Sequence, residues 1–575
     1  MKDRLKSLAR KTRLLPLLYR YFVLNSGDII RKAFLLGSEA LTAGQKKFIN
    51  VNSEKWRAFN NLNESRPNGR VLVNILSYQP TYMAANSVLS KYLERLKHLK
   101  PLFLMQNPYD AKSRKICASY GKAGFAYFGN RYRDPLIRLK SWGGAGRMLN
   151  NLRNGDDLIN LKYDGILIGD LVYNSYIKAT GEGTIDVITP GVIKYVREAA
   201  LIRQYYSALF RKHDIKAVVT GEMFFLPYGL LARVALEHGA EVFVITRSPG
   251  NTVRVRRYMN PDDLGNHHAR PPDWLVNAAR EHRKTESIEK AEAYLQERMN
   301  PPAQKSGESD VTIAYDSSKP VLSKSELRRR LGIDEAKPVV VIMCHWIPDA
   351  PRSHGWSLFK DYLVWLRETL DFIKERPETN WLVKPHPYVG APNPRHSGRS
   401  EIEKVTGTSR ENTVRLLPEE INTRSLCGIA DVIITARGTA GLEFACFGIP
   451  CILTGRSSYS GFGFTMEPRS KEEYFELLGA ADRIKRLSPE QVEIAKVVAY
   501  LHFVLQLSET TFLPSGTSHA GKTDDDRLWL TLIETTQKAD PLADPLYLNL
   551  ERMLHFNGTH LLNMPEFFQL KAARV

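Results

Sequence analysis

Between two apolar runs, DVII at 431–434 and PCIL at 450–453, lies the stretch TARGTAGLEFACFGI. A strand ending at Thr435 delivers the chain to the carboxyl edge of a sheet, and a short helix is expected to open on Arg437-Gly438-Thr439. Gly438 and Gly441 permit a tight turn and close approach of a ligand to the backbone. The N–H groups of Thr439, Ala440 and Gly441 are expected to be free at the helix mouth, where the helix dipole favours an anion. Arg437 adds charge and Thr439 a hydroxyl, so the chemistry expected is phosphate binding. Glu443, one turn further in, is placed to accept hydrogen bonds from sugar hydroxyls, as acidic residues do for ribose in dinucleotide folds. The plainer alternative is a tight turn followed by a solvated helix residue.

Three further groups lie just after apolar runs. WLVKPHP (381–387) holds Lys384 and His386 in a proline-stiffened turn, within reach of phosphate oxygens or a leaving group. MCHWIPDAPRSHGW (343–356) carries His345, Asp349, Arg352 and His354. His345 or Asp349 could deprotonate an acceptor hydroxyl, the alternative being a His–Asp hydrogen bond on a surface loop. Asp170 in IGDLVYNSY and Glu222 in VTGEMFF read as carboxylates ending strands and facing an interdomain cleft. In GRSSYSGFGFT (455–465), Tyr459, Ser460 and Phe462 suit a sugar or base pocket, or a mobile cover. No metal site and no cofactor are expected.

The elements that must position these groups alternate. RVLVNILS (70–77), PLFLMQ (101–106), AGFAYFG (123–129), DGILIGD (164–170), KAVVTGE (216–222) and AEVFVITRS (240–248) read as strands. Helical stretches at 86–99, 193–213 and 226–239 separate them. A second series runs PVVVIMC (338–344), NWLVK (380–384), NTVRLLP (412–418), DVIIT (431–435) and PCILTG (450–455). Strands alternating with helices at this spacing mean α/β units with largely parallel sheets. The expected organisation is a basic helical segment at 1–65, a Rossmann-like acceptor domain at 66–260 and a linker region with some helix (273–299) at 261–335. A Rossmann-like donor domain at 336–485 and helices at 486–575 packing back on the body complete it. Two such domains would face a cleft, with the groups above at the carboxyl ends of the strands.

At 575 residues the chain is too long for one core. Its 43% hydrophobic and 25% charged residues are ordinary, but a net charge of +19 points to polyanionic partners. The five cysteines have no zinc spacing and are expected to be reduced, buried and inert. No run reaches the ~18 apolar residues of a spanning helix. Residues 1–24 combine basic and leucine positions, fitting contact with an anionic membrane or a helix packed on the protein itself.

The order KPHP, then LLPEEINTRSLCGIADVIITARGTAGLEFACFGIPCIL, then GRSSYSGFGFT resembles GT-B glycosyltransferases of bacterial capsule and surface-polysaccharide synthesis. The wider group includes capsule-type Kdo transferases, CDP-glycerol glycerophosphotransferases and non-hydrolysing UDP-N-acetylglucosamine 2-epimerases. The resemblance covers roughly 70–505 and is most specific over 381–465. It implies a nucleotide-sugar donor held by the C-terminal domain, a glycan or glycolipid acceptor held by the N-terminal domain, and no metal. His386 and residues 437–441 would hold donor phosphate, and Glu443 the ribose. The His-Gly-Thr-Pro stretch of glycerophosphotransferase-like members has no match, so His345 is not carried over. The expected activity is transfer of a sugar to a capsule or lipopolysaccharide acceptor at the cytoplasmic face of the membrane. The alternatives are polyol-phosphate transfer from a CDP-linked donor and a non-catalytic assembly or export role. No nucleic-acid-binding motif accompanies the charge, so nucleic acid is not an expected partner.

Overall fold

The computed structural model describes residues 41–60, 67–150, 152–248, 250–265, 269–300, 309–353, 355–387, 398–515, 526–564 and 567. The basic stretch 1–24 and His354 lie outside them. The strands are β1 (Arg70–Ile75), β2 (Lys100–Met105), β3 (Gly124–Tyr127), β4 (Lys162–Tyr163), β5 (Ile166–Leu167), β6 (Ile215–Thr220), β7 (Glu241–Arg247) and β8 (Thr252–Tyr258). They continue with β9 (Val339–Met343), β10 (Asn380–Lys384), β11 (Val414–Leu416), β12 (Val432–Thr435), β13 (Cys451–Leu453), β14 (Thr465–Met466) and β15 (Ser508–Glu509).

The first sheet has the order β15-β8-β7-β6-β1-β2-β3, and the second β11-β10-β9-β12-β13-β14. The central strands are parallel and buried on both faces, which is why they read as near-continuous apolar runs. Each sheet starts at an inner strand, builds outward to one side, then returns to the other. The order therefore reverses between β1 and β6 in one unit and between β9 and β12 in the other. Such reversal points leave a crevice at the carboxyl ends of the strands. Two Rossmann-like α/β units with helical extensions are thus the observed architecture, as the GT-B resemblance implied.

A polar seam joins the units. The Tyr173 hydroxyl donates to Asp361 at 2.6 Å, Lys360 pairs with Asp186 at 2.6 Å, and the Arg352 N–H donates to Asn174 at 3.1 Å. Burial raises the Asp361 carboxyl pKa above its usual range.

Four features differ from the sequence expectation. DGILIGD is not a full strand: only Ile166–Leu167 pair, with β4, and a helix begins at Gly169. TVRVRRY, which is not among the expected strands, is β8, antiparallel to β7, with Val253 and Val255 buried and Arg254 between them. The stretch 261–335, expected as a linker with some helix at 273–299, has helix there and, among the described residues, two further α-helices. It holds helices at Asp273–His282, Lys284–Arg298, Ser309–Ala314 and Lys324–Leu331. Finally, β15 adds to the edge of the first sheet by pairing with β8, so the chain returns from the second unit to the first. Near it Trp56 stacks on Phe512 at 5.0 Å, and Phe48 packs against Trp529 at 5.2 Å. Asp544 accepts from Tyr92 at 2.5 Å and from Thr510 at 2.9 Å. The cysteines are free, four buried and Cys427 half-buried; burial pushes Cys344 and Cys427 up to about 12.

Candidate active site

The ends of β10, β9 and β12 open into a cavity of about 390 Å³. His345 follows β9 and Thr435 ends β12, so the two flank the reversal point of the second sheet. They touch, with His345 Nε2 3.1 Å from Thr435 Oγ1. The same Nε2 accepts the Arg437 backbone N–H at 3.1 Å, while Thr435 Oγ1 accepts that of Gly438 at 3.2 Å. His345 stacks on Tyr362 with ring centroids 4.5 Å apart. Burial, then the neighbouring His386 and Arg437, hold its pKa well below the usual imidazole range. A neutral imidazole is what accepting a backbone N–H requires. His345 therefore organises the Arg-Gly-Thr turn, and the Nε2 wanted for base catalysis is occupied.

The turn itself is packed from behind. A Cβ on Gly441 would lie 2.2 Å from the Tyr459 hydroxyl oxygen and 2.7 Å from Cys451 Sγ. The Tyr459 hydroxyl donates to the Gly438 carbonyl, and so does the Gly441 N–H at 3.1 Å. The expectation of a free N–H at Gly441 is corrected on this point: the turn closes on it. Thr439 and Ala440 line the cavity with Arg437 and Gly438.

Arg437 is 8% exposed. Its Nη2 donates to the Pro351 carbonyl at 2.9 Å, but Nε and Nη1 are buried with no hydrogen-bond partner among the described residues. A buried guanidinium left this incompletely satisfied is costly unless an anion completes it. Lys384 and His386 also line the cavity. Burial, then Lys384, lowers the His386 pKa to about 3, so its imidazole is neutral.

More of the lining comes from β8, from the stretch 261–335 and from the helical extension. Arg254 on β8, Arg298, Tyr315 and His502 all line the cavity. Among the described residues, three arginines and one lysine thus line it, against one carboxylate, Glu443. That carboxylate is 2% exposed and already engaged: Arg298 Nε donates to Oε1 at 2.9 Å and the Tyr315 hydroxyl to Oε2. Glu443 is a wall residue that anchors Arg298 and Tyr315, rather than an open acceptor for ribose. Glu443→Ala is expected to cost about 3–5 kcal/mol by stranding a buried Arg298. Thermal unfolding checks this, and Arg298→Met added to Glu443→Leu should recover most of the loss.

The remaining expected residues separate. Asp170 does not end a strand; it lies in the first turn of the helix Gly169–Thr180. Both its oxygens accept from Arg233, at 2.7 and 2.6 Å, which leaves no free base there. Asp349 is exposed and pairs with Lys178 across the seam at 3.4 Å. Tyr459 is fully buried, and the Ser460 hydroxyl accepts the Ser457 N–H at 2.9 Å. Phe462 packs beneath the Arg270 guanidinium, 4.3 Å from its ring centroid. None of these three lines the cavity; from that loop only Ser458 does.

Glu222 is different. It follows β6 at the reversal point of the first sheet. There the Asn74 side chain bridges to the Thr220 hydroxyl at 3.1 Å. Glu222 Oε1 is buried without a hydrogen-bond partner among the described residues. Burial raises its pKa to about 7, with Lys178 pulling down and Asp349 pushing up. The adjacent strand β7 leads to Ser248 in the cavity wall. Among the described residues no group of three or more His, Cys, Asp or Glu is gathered as a metal site.

Residues 366–492 match the family described as capsule polysaccharide biosynthesis protein. The match bears out the resemblance read from 381–465, and the segment holds Lys384, His386 and the whole Arg437–Glu443 turn. No curated protein matches the chain by sequence. Among solved structures, a Thermosulfurimonas dismutans KpsC, a beta-Kdo 2,4 transferase, aligns at 16% identity over 52% of this chain and 82% of its own, with a TM-score of 0.32. A Rickettsia africae glycosyltransferase aligns at 12% identity over 82% and 100%, with a TM-score of 0.27. The wall teichoic acid polymerase TagF aligns at 9% identity over 87% and 100%, with a TM-score of 0.22. At these scores the likeness assigns neither donor nor acceptor.

Proposed function

We propose that the chain is a glycosyltransferase of bacterial surface-polysaccharide synthesis, moving a sugar from a nucleotide-sugar donor to a glycan or glycolipid acceptor. The observation that carries this is Arg437: a buried guanidinium with two unsatisfied nitrogens on the wall of a cationic cavity, inside the segment that matches the capsule family. The donor phosphates occupy that cavity, where Arg437, Lys384, Arg254 and the backbone at Thr439–Ala440 supply charge and donors. The acceptor hydroxyl oxygen attacks the anomeric carbon and gives its proton to Glu222. The bond from that carbon to the phosphate oxygen breaks, and the nucleotide leaves with the electron pair. Fixed cations aimed at the departing phosphate stabilise the transition state more than the ground state. His386, being neutral, donates or accepts a hydrogen bond rather than acting as a fixed charge. Glu443 keeps Arg298 in place, and the ribose contact passes to other wall groups.

The test is a thermal-shift panel of CMP, CDP, UDP and GDP with their sugar and glycerol conjugates. A ligand that binds only the folded chain raises its melting temperature. One base class is expected to do so, with its sugar conjugate as effective as the free nucleotide. A response to CDP-glycerol and to no nucleotide sugar would move the reading to polyol-phosphate transfer. No response from any nucleotide would sink the donor site.

A further inference from the structure

The helix Pro135–Leu149 has two apolar stripes where one would serve its own core. Ile137, Ala145 and Met148 face inward and are buried. Leu136, Leu139 and Trp142 face outward and are 67%, 70% and 76% exposed. With Val187 at 69%, they are the four most exposed large apolar side chains among the described residues. Scattered single apolar residues are normal on a surface, but three at helical spacing on one face are not.

Their charge setting is equally one-sided. The outer stripe borders a groove of about 750 Å³, shared with the helix Pro190–Lys212 and lined in part by Arg138, Lys194 and Arg197. The one carboxylate lining that groove, Glu198, is already neutralised by Arg131 at 2.7 Å. Asp134 is spent capping the helix, accepting from the N–H groups of Leu136 and Ile137. Leucine and tryptophan beside arginine and lysine is the composition of a helix lying in a bilayer interface. Bare phosphate would not call for the leucines, and a carbohydrate chain in the groove would not call for Leu136, which is exposed and outside the groove's lining.

Topology sets where this face lies. The helix follows β3, and Pro190–Lys212 leads into β6, so both begin at the carboxyl edge of the first sheet. The outward residues sit in the first half of the one helix, and Lys194 and Arg197 in the first half of the other. This is the edge on which Glu222 stands. We propose that the face formed by Leu136, Leu139 and Trp142 with Arg138, Lys194 and Arg197 docks on an anionic lipid bilayer. Docked there, the chain presents the Glu222 edge to the membrane surface, where a lipid-borne acceptor is within reach. The proposal does not depend on the donor assignment.

The experiment is co-sedimentation of the full chain with phosphatidylglycerol-containing vesicles and with phosphatidylcholine vesicles. Binding to the anionic vesicles is expected to be stronger by roughly tenfold and to weaken with salt. Leu136→Glu with Leu139→Glu should lower it by about tenfold with an unchanged melting temperature, since both side chains are exposed. Trp142→Phe should remove a vesicle-induced blue shift in tryptophan emission. Arg138→Glu with Lys194→Glu should flatten the salt dependence. Vesicle binding by the double-leucine variant equal to that of the parent would overturn the proposal and leave the basic stretch 1–24 as the anchor. So would vesicle binding that survives the charge reversal while binding of soluble polygalacturonate is lost, which would make the groove a glycan site. The nucleotide panel, run on the same variants, is expected to be unaffected, so failure of this face and failure of the donor site are separable.

Discussion

Arg437→Met is expected to lower the transfer rate by about 10²–10³-fold while leaving the unliganded protein at least as stable. The two halves of that outcome have one cause. The guanidinium is buried, yet among the described residues a single carbonyl, that of Pro351, is its hydrogen-bond partner. Removing a structural arginine normally costs stability because its partners are stranded. Here there is little to strand, and methionine fills similar volume. Arg437→Lys should recover charge but not the fork of donors, and so regain only part of the activity. The measurements are steady-state transfer with the donor found by the nucleotide panel and melting temperature with and without it. A variant that melts lower and still binds nucleotide normally would show the residue to be structural.

Glu222→Gln is expected to lower turnover by roughly 10²–10⁴-fold without weakening donor binding. In the parent, the rate should rise with pH through about 7, where the carboxyl gives up its proton; in the variant that limb should vanish. The stability consequence has a definite sign. The folded pKa of about 7 lies above the usual 4.5, so between these values the folded state holds a proton the unfolded state has lost. Glu222 therefore costs nothing below 4.5, and its cost grows as pH rises to 7 and is complete above it. The full cost is on the order of 3 kcal/mol. Glu222→Gln should accordingly raise the melting temperature above pH 7 and leave it unchanged near pH 4. Equal pH profiles of melting for parent and variant would show that the carboxyl is not held in this state.

Much of this site is legible in the sequence. Parallel strands buried on both faces announce themselves as unbroken apolar runs, so β1, β6, β9 and β12 and the residues just after them could be placed from the sequence alone. That located Lys384, His386 and Arg437 on one cavity, and Glu222 at the matching edge of the other sheet. The roles of buried carboxylates were not legible, because each depends on a partner distant in the chain. Glu443 reads as an open acceptor until Arg298, on a helix read as linker, is seen to hold it. Asp170 reads as a free acid until Arg233 claims it. Tyr459 sits in a glycine-rich loop suggestive of a ligand cover, but the space left by Gly441 draws its hydroxyl inward. β8 was missed because arginines alternate with its valines, a pattern that marks a half-buried strand only once a partner strand is known.

The pairing of β15 with β8 also bears on how the molecule is made. The edge of the first sheet stays open until Ser508 arrives, and the aromatic cluster around Trp56 is not closed until Phe512 and Tyr547 join it. From Tyr258 to Ser508 is 250 residues. At elongation rates of about 5–20 residues per second, that is roughly 12–50 s of synthesis. Through that interval the nascent first unit carries an uncovered strand edge with three arginines on it, Arg254, Arg256 and Arg257. Charge along an open edge discourages pairing with other chains, so the arginines of β8 protect the ribosome-bound intermediate before they take up their places in the finished protein.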